Sequence, residues 1–110
     1  PAVAITDHGN MFGAFQFVAE AGKHGVKPIV GCEFYLVTDR HKQSFTKEQK
    51  DKRYHQLFLA KNPEGYQNLV KLCSLGFMEG MYSKYPRIDK ELVLKYHKGL
   101  IATTCCLGAS

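Results

Sequence analysis

The chain contains 110 residues, of which 45% are hydrophobic and 12% aromatic. Because single domains usually run to about 100–200 residues, this length excludes two independent catalytic domains, and the apolar content excludes a disordered chain. Fifteen Lys and Arg residues against ten Asp and Glu residues give a net charge of +5. This is a mild bias toward anionic partners such as nucleic acid or phosphate esters.

No apolar stretch reaches the roughly 18 residues of a membrane helix, and the start carries no signal-peptide pattern. We therefore expect a cytoplasmic protein without a membrane partner. Because the sequence opens at Pro1 without a methionine and ends at Ser110 just after an apolar run, we expect a piece of a longer protein. The absence of a C-x-x-C pair predicts reduced thiols. The four cysteines are Cys32, Cys73, Cys105 and Cys106.

The first predicted unit is a strand, a turn and a helix. Residues 3–6 form a short apolar run of strand type, and a turn cluster follows at 7–10. Apolar residues at helical spacing then predict a helix over 11–24, with Asn10 as its N-cap and Gly25 as its stop. The apolar face predicted for this helix comprises Phe12, Phe15, Val18, Ala19, Ala21 and Gly22.

The middle of the chain contains two further predicted strands. β-Branched and aromatic residues predict a strand over 28–37, which the charged Glu33 interrupts, and another over 54–60. Between them, residues 39–53 are rich in charge, and Phe45 is their only apolar side chain. This segment is typical of a solvated loop or an exposed helix fragment.

Two more helices are predicted in the last part of the chain. Asn62 as a cap and Pro63 at the first position form a strong helix start. Residues 76–87 have the composition of a loop, after which Asp89 caps a short helix through Tyr96. The apolar face predicted for the longer helix comprises Tyr66, Leu69, Val70, Cys73 and Phe77.

Residues 99–104 predict a fourth strand, so strands and helices alternate along the whole chain. This alternation predicts an α/β fold with a largely parallel sheet covered by helices. Part of a (β/α) barrel, truncated at each end, fits the pattern, and a doubly wound open sheet fits almost as well.

Several side chains that can bind a metal lie at the positions where such folds place functional groups. Strand ends that lead into helices carry chemistry in parallel α/β folds; His8 and Asp7 follow the first strand, and Cys106 follows the last. Glu33 lies in a buried-looking strand, where an unpaired carboxylate costs roughly several kcal/mol, so it predicts a nearby cation or metal. His55 opens a strand that is otherwise apolar.

Each of these residues also has an ordinary structural explanation. His8 can pair with Asp7 in a tight turn, and Glu33 can lie at an exposed strand tip. His55 can be a polar residue at a strand entrance, and Cys106 a small buried side chain. Together, however, imidazole, carboxylate and thiolate are the ligand set of zinc, and imidazole with carboxylate also suits manganese or iron. Such a centre supports phosphoester hydrolysis.

Other chemistries have little support in the sequence. It lacks the G-x-S-x-G, Walker A and G-x-G-x-x-G motifs of serine hydrolases and nucleotide-binding loops. Residues 82–87 interleave aromatic and basic side chains, a pattern that can bind single-stranded nucleic acid. A surface loop pinned by its tyrosines is the more ordinary interpretation of the same segment.

Five ordered blocks matter for the classification of this sequence. They are AITDHGNMFG at 4–13, GVKPIVGCE at 25–33, HQLFLAKN with GY and NL at 55–69, PRID at 86–89 and GLIA at 99–102. Together they resemble the PHP (polymerase and histidinol phosphatase) domain of bacterial replicative DNA polymerase III alpha subunits. The resemblance runs over essentially all 110 residues.

The resemblance implies that residues 1–110 are part of a distorted (β/α)7 barrel, truncated at both ends, that can hold up to three divalent metal ions of the Zn, Mn or Fe type. It implies metal ligation by His8, Glu33, His55 and Cys106. Glu33 and His55 would be catalytic, and Asp7 would neighbour the site. It also implies a parent DNA-directed DNA polymerase, with DNA and other replicase subunits as partners and a 3′–5′ exonuclease function for this domain.

The sequence departs from the family pattern at both ends. The opening His-x-His pair of the family and the acid after it would lie before Pro1, and its closing Asp-x-His would lie beyond Ser110. We therefore expect the isolated chain to be inactive, because half of a metal site cannot repay the cost of ordering it. A metal-free scaffold within the polymerase and a free-standing PHP phosphoesterase remain alternatives.

Overall fold

The computed structural model describes residues 2–44 and 53–103, which form five strands and three helices. In chain order these are β1 (Ala2–His8), α1 (Ala14–Lys23), β2 (Lys27–Val37), β3 (Tyr54–Ala60), α2 (Pro63–Glu79), β4 (Arg87–Asp89), α3 (Lys90–Tyr96) and β5 (Leu100–Thr103). None of these described helices has the length and apolar character needed to cross a membrane.

All five strands belong to one sheet, in which β2 is central. The order is β1-β2-β3-β5, and β4 pairs with the end of β2. β1 runs parallel to β2, and β4 continues along the same edge, also parallel. β3 runs antiparallel to β2, and β5 antiparallel to β3. The structure is therefore an α/β fold with a mixed sheet.

The prediction of a largely parallel sheet is wrong, because two of the four strand pairings are antiparallel. Parallel neighbours need a crossover connection, usually a helix, and α1 supplies one between β1 and β2. The described residues between β2 and β3, which are 38–44 and 53, form no helix. An antiparallel pairing needs none, so β3 can return beside β2.

The core lies between the helices and one face of the sheet. Cys32 and Phe34 on β2 and Phe58 on β3 are buried there against Leu69 and Leu72 of α2. Because side chains alternate along a strand, the residues between them, such as Glu33, point to the opposite face. This alternation directs the polar candidates away from the core.

The helix α1 begins later than predicted. Asn10 is not its N-cap: the Asn10 side chain accepts a hydrogen bond from Phe12 N and donates one to His8 O, which closes the loop before the helix. The Asp7 carboxylate instead accepts from Gly13 N at 3.1 Å. The predicted stop is confirmed, since Gly25 has φ +66° just beyond the helix.

The predicted apolar faces of the two longer helices need correction. Phe12, just before α1, and Phe15 on α1 are 81% and 85% exposed. On α2, the side turned to the core is offset from the predicted one, and Tyr66, Val70 and Phe77 are partly exposed, at 39%, 42% and 37%. Periodicity locates an apolar stripe but does not say which part of it meets a neighbour. The buried residues of α2 are Gly65, Leu69, Leu72 and Gly76.

The helix starts at Asn62 and Asp89 are confirmed. The Asn62 side chain accepts from Gly65 N, and that of Asp89 accepts from Leu92 N. The predicted loop over 76–87 is only partly correct, because α2 continues to Glu79 and Arg87 already belongs to β4.

The prediction that residues 39–53 are solvated is wrong for part of the segment that the structure describes, which is 39–44 and 53; residues 45–52 lie outside the described residues. Arg40 is only 6% exposed and its guanidinium contacts the buried Asp89 at 2.8 Å. Glu79 and Glu91 contact the same guanidinium. The side chain of the fully buried Arg87 donates to the carbonyl oxygens of Arg40 and Lys42. These contacts attach the segment after β2 to β4 and α3.

Candidate metal centre

Three neighbouring strands bring His8, Glu33 and His55 to one face of the sheet. His8 of β1 is directly opposite Glu33 in the parallel pairing. His55 of β3 is opposite Tyr35, two residues along β2 from Glu33. Since residues i and i+2 of a strand share a face, the three side chains converge on the side of the sheet away from the core.

The Glu33 carboxylate lies between the two imidazoles. Its Oε2 is 3.2 Å from His8 Nδ1, and its Oε1 contacts His55 Nδ1. One ligand atom from each of the three residues lies within 4.8 Å of the others. The Glu33 side chain is 13% exposed, whereas that of His8 is 63% exposed. The group therefore opens to solvent on the His8 side.

This donor set fits a divalent transition ion. Two imidazole nitrogens and a carboxylate are ligands that zinc, manganese and iron accept. A carboxylate with little solvent is stabilised by a nearby positive charge, which a cation between the three groups would provide. Binding requires imidazole nitrogens without protons. The three residues therefore form a candidate metal centre with three protein ligands, which further ligands would complete.

The loop after β1 fixes the position of His8. Gly9 donates its backbone N–H to Glu33 O at 2.6 Å, and the Asn10 side chain donates to His8 O at 2.9 Å. Gly9 has φ +68°, a conformation that favours glycine. A Cβ there would also lie 3.2 Å from both Pro86 Cγ and Tyr35 Cε2. The sharp turn thus holds His8 against its partner strand.

Asp7, which was predicted as a neighbour of the site, is not part of this group. Asp7 is opposite the buried Cys32 in the strand pairing, so it lies on the core face of the sheet, where its carboxylate accepts from Gly13 N. This hydrogen bond from Gly13 N fixes the start of α1, and the Asp7 carboxylate points away from the three candidate ligands. Cys106 lies outside the described residues.

Two thiols lie beneath the loop that carries His8, on its core side. Cys32 Sγ donates to Asn10 O and Cys73 Sγ to Gly9 O. The neighbouring Cys73 thiol, together with burial, raises the pKa of Cys32, and the Cys32 thiol lowers the pKa of Cys73. Both cysteines are free, as predicted, but no pattern in the sequence indicated that they support this loop.

A cleft of about 350 Å³ adjoins the candidate centre at His8. Tyr35, Lys84, Tyr85 and Pro86 line it together with the Gly9 turn. The basic and aromatic segment 82–87 was singled out from the sequence, but Tyr35 was not. Tyr35 could have been identified because it lies two residues from Glu33 on a predicted strand, and such residues share a face of the sheet.

Known proteins are similar to this chain over nearly its whole length. The PHP domain family matches residues 1–110. A protein of Borreliella burgdorferi named DNA polymerase III subunit alpha is 49% identical over 109 residues, which cover 96% of this chain and 9% of that protein. Proteins of the same name from Thermus aquaticus and Helicobacter pylori (strain ATCC 700392 / 26695) are each 47% identical, over 99% and 96% of this chain.

The chain spans less than a tenth of the length of these relatives, with 9% of the Thermus aquaticus protein and 8% of the Helicobacter pylori protein covered. Both the family match and the identities lead to one classification: this chain belongs to the PHP domain family, and the relatives it matches are alpha subunits of DNA polymerase III.

Proposed function

We propose that this chain is the PHP region of a DNA polymerase III alpha subunit and that His8, Glu33 and His55 bind a divalent metal ion of the Zn, Mn or Fe type. In this proposal the centre hydrolyses phosphodiester bonds at the 3′ end of DNA. The observation that carries it is the convergence of three ligand atoms within 4.8 Å from three strands. The names of the relatives support the polymerase context.

Each residue has a stated part in this proposal. Glu33 directs one carboxylate oxygen toward each imidazole, so it would hold metal together with both histidines. The imidazoles hold their positions through the strand pairing. Bound divalent ions supply Lewis-acid chemistry that activates water and neutralises charge on a phosphate. Cys106 as a further ligand and Asp7 as a neighbour of the site stay predictions.

The proposal extends to the setting of the site. A (β/α)7 barrel would be completed by residues outside this chain and would supply the remaining ligands for up to three ions. DNA and other replicase subunits are the proposed partners, in the cytoplasm, through the complete polypeptide that carries these 110 residues. The polymerising chemistry belongs to other parts of that polypeptide.

Replacing the central carboxylate tests this function. In the complete polypeptide, Glu33→Ala is expected to abolish metal-dependent 3′–5′ nuclease activity, because it removes the group that both imidazoles contact. DNA synthesis by the same preparation should be unchanged. Glu20→Ala is the matched control, since Glu20 is an exposed carboxylate that pairs with His24 at 3.8 Å on α1. It should leave both activities intact.

Two results separate this proposal from its alternatives. Full nuclease activity in Glu33→Ala would contradict the assignment of the centre. A wild-type polypeptide with neither nuclease activity nor stoichiometric metal would instead support the metal-free scaffold.

A further inference from the structure

The cleft beside His8 has walls of unusual composition for a phosphate site. His8 forms one end, and Tyr35, Lys84, Tyr85 and Pro86 form the walls. Its volume of about 350 Å³ is within the range of small-molecule sites. Among the described residues that line it, none is acidic. The cleft therefore offers aromatic surface and positive charge directly next to the candidate metal centre.

The aromatic wall is continuous with the centre. The ring of Tyr35 contacts that of His55 edge to face, with centroids 5.4 Å apart. Tyr35 also contacts Tyr85 in the same way, again at 5.4 Å. Both tyrosines are half-buried. A flat group placed against these rings would thus be separated from the imidazole of His55 by no more than the two tyrosine side chains.

Two cations accompany the aromatic wall. The guanidinium carbon of Arg53 lies 3.7 Å from the centroid of the Tyr85 ring. Lys84 Nζ lies 5.6 Å from the same centroid, and its side chain is exposed at the edge of the cleft. Arg53 restrains the tyrosine ring by a cation–π contact, while Lys84 presents its charge to whatever enters.

Aromatic surface beside cations is the combination that binds unpaired nucleotides, because bases pack on rings and phosphates pair with cations. A small phosphate ester without a base would use the cations and leave the tyrosine wall without a partner. We propose that this cleft binds the terminal nucleotide of single-stranded nucleic acid, with its base against Tyr35 and Tyr85 and its backbone phosphate toward Lys84. The inference rests on the proposed function and names the substrate of that site.

Photocrosslinking tests the position of the base without requiring metal or cleavage. The complete polypeptide in EDTA is irradiated with a single-stranded oligodeoxynucleotide whose 3′-terminal base is 5-iodouracil, and crosslinked peptides are mapped by mass spectrometry. We expect crosslinks at Tyr35 or Tyr85. In Tyr85→Ala the yield at Tyr35 should fall on the order of tenfold, the effect typical of losing one base–ring contact.

Two variants keep this test independent of folding. Tyr85→Phe retains the ring and should retain the crosslink at Tyr35. Tyr66→Ala removes a tyrosine of α2 that does not line this cleft, and should leave the yield unchanged. A wild-type crosslink confined to other peptides, or a Tyr35 yield that is equal in Tyr85→Ala and wild type, would overturn the inference.

Lys84 is tested by salt dependence. Each lost phosphate contact with a single strand should make the slope of log yield against log salt shallower by about 0.7. We expect this change at the Tyr35 crosslink in Lys84→Ala and none in Lys71→Ala, an exposed lysine of α2 outside the cleft. Equal slopes in the two variants would overturn the role of Lys84.

The two proposals can fail separately. Crosslinking as expected, together with neither stoichiometric metal nor nuclease activity in the polypeptide purified without EDTA, would overturn the proposed nuclease centre and keep the nucleotide cleft. Stoichiometric metal and an active nuclease without the crosslinks would keep the centre and overturn the cleft.

Discussion

Glu33 is the residue on which the candidate metal centre depends most. Its side chain is 13% exposed and has an imidazole on each oxygen. The sequence predicted such partners, because a carboxylate within an apolar strand is costly when it is alone. It also indicated His8 and His55 by residue type. The sequence could not predict that these side chains converge on Glu33, because their positions depend on the direction and register of two strand pairings.

The turn at Gly9 gives a prediction about the position of His8. Gly9→Ala should cost about 1–2 kcal/mol of stability because of its positive φ. It should also weaken Mn²⁺ or Zn²⁺ binding by roughly tenfold or more, since the new methyl group would press on Pro86 and Tyr35. Titration calorimetry on the complete polypeptide measures the affinity.

The matched control for Gly9→Ala is Gly25→Ala. Gly25 has φ +66°, almost that of Gly9, but a Cβ there would meet nothing within 4 Å. It should therefore show the backbone cost with unchanged metal affinity. Equal affinities in the two variants would show that the turn does not position His8.

Among the elements, local signals predicted helix starts when the capping side chain and the backbone N–H that donates to it lie within one turn. Asn62 and Asp89 are examples, and both side chains accept from the third residue that follows. Asn10 has the same residue type but bonds within its own loop. The start of α1 is fixed instead by the Asp7 carboxylate, which accepts from Gly13 N. These two residues are six positions apart, so no pattern within one helical turn predicted the contact.

Arg40 and Asp89 form the buried ion pair that attaches the segment after β2 to β4 and α3. Burial alone raises the pKa of Asp89, but hydrogen bonds from the backbone N–H groups of Arg40 and Leu92 and from the Arg40 guanidinium outweigh it and lower the pKa. The stabilisation by this carboxylate is therefore present above its unfolded pKa of about 3.9 and is lost as pH falls through the lower folded value.

Asp89→Asn removes the charge of that pair and one hydrogen-bond acceptor but keeps the helix cap, because asparagine still caps a helix. We expect the local free energy of unfolding to fall by about 2–3 kcal/mol, at or below the lower end for a broken buried pair, since Glu79 and Glu91 remain beside Arg40. Hydrogen exchange of peptides over 87–96 should accelerate by roughly 30-fold or more at neutral pH.

Glu91→Gln is the comparison for Asp89→Asn. It removes an acid from the same guanidinium, but the Glu91 side chain is 64% exposed. Its effect should stay below about 1 kcal/mol. Equally small effects of both substitutions would mean that the buried pair contributes little to the attachment of this segment.

For the molecule as a whole, alternation of strands and helices was enough to predict an α/β fold. It was not enough to predict the direction of each strand, because a hydrophobic pattern is the same for parallel and antiparallel neighbours. The short β4 was missed for a related reason. Its three residues carry no periodicity, and its place depends on β2 and on the contacts of the buried Arg87.

Exposed aromatic residues at the start of α1 and in the turn before it predict association of the 110-residue chain. Phe12 and Phe15 are 81% and 85% exposed, and Phe12 stacks on Phe77. Burying such side chains gains roughly 1.5–3 kcal/mol each, so we expect the chain to form oligomers as its concentration rises. Size-exclusion chromatography with light scattering measures this.

Phe12→Ser with Phe15→Ser should shift that distribution toward monomer. Leu94→Ser is the control, because Leu94 is exposed on a different helix, and scattered apolar residues are ordinary. A wild-type chain that stays monomeric at every concentration would refute this expectation.

Anomalous diffraction is the most direct measurement of the central claim, that His8, Glu33 and His55 bind metal. Crystals of the complete polypeptide grown with Mn²⁺ or Zn²⁺ are measured at the absorption edge of that ion. We predict a peak about 2.0–2.3 Å from a ring nitrogen of each histidine and from an oxygen of Glu33. A map without a peak at this position, with Glu33 still bonded directly to the imidazoles, would contradict the account.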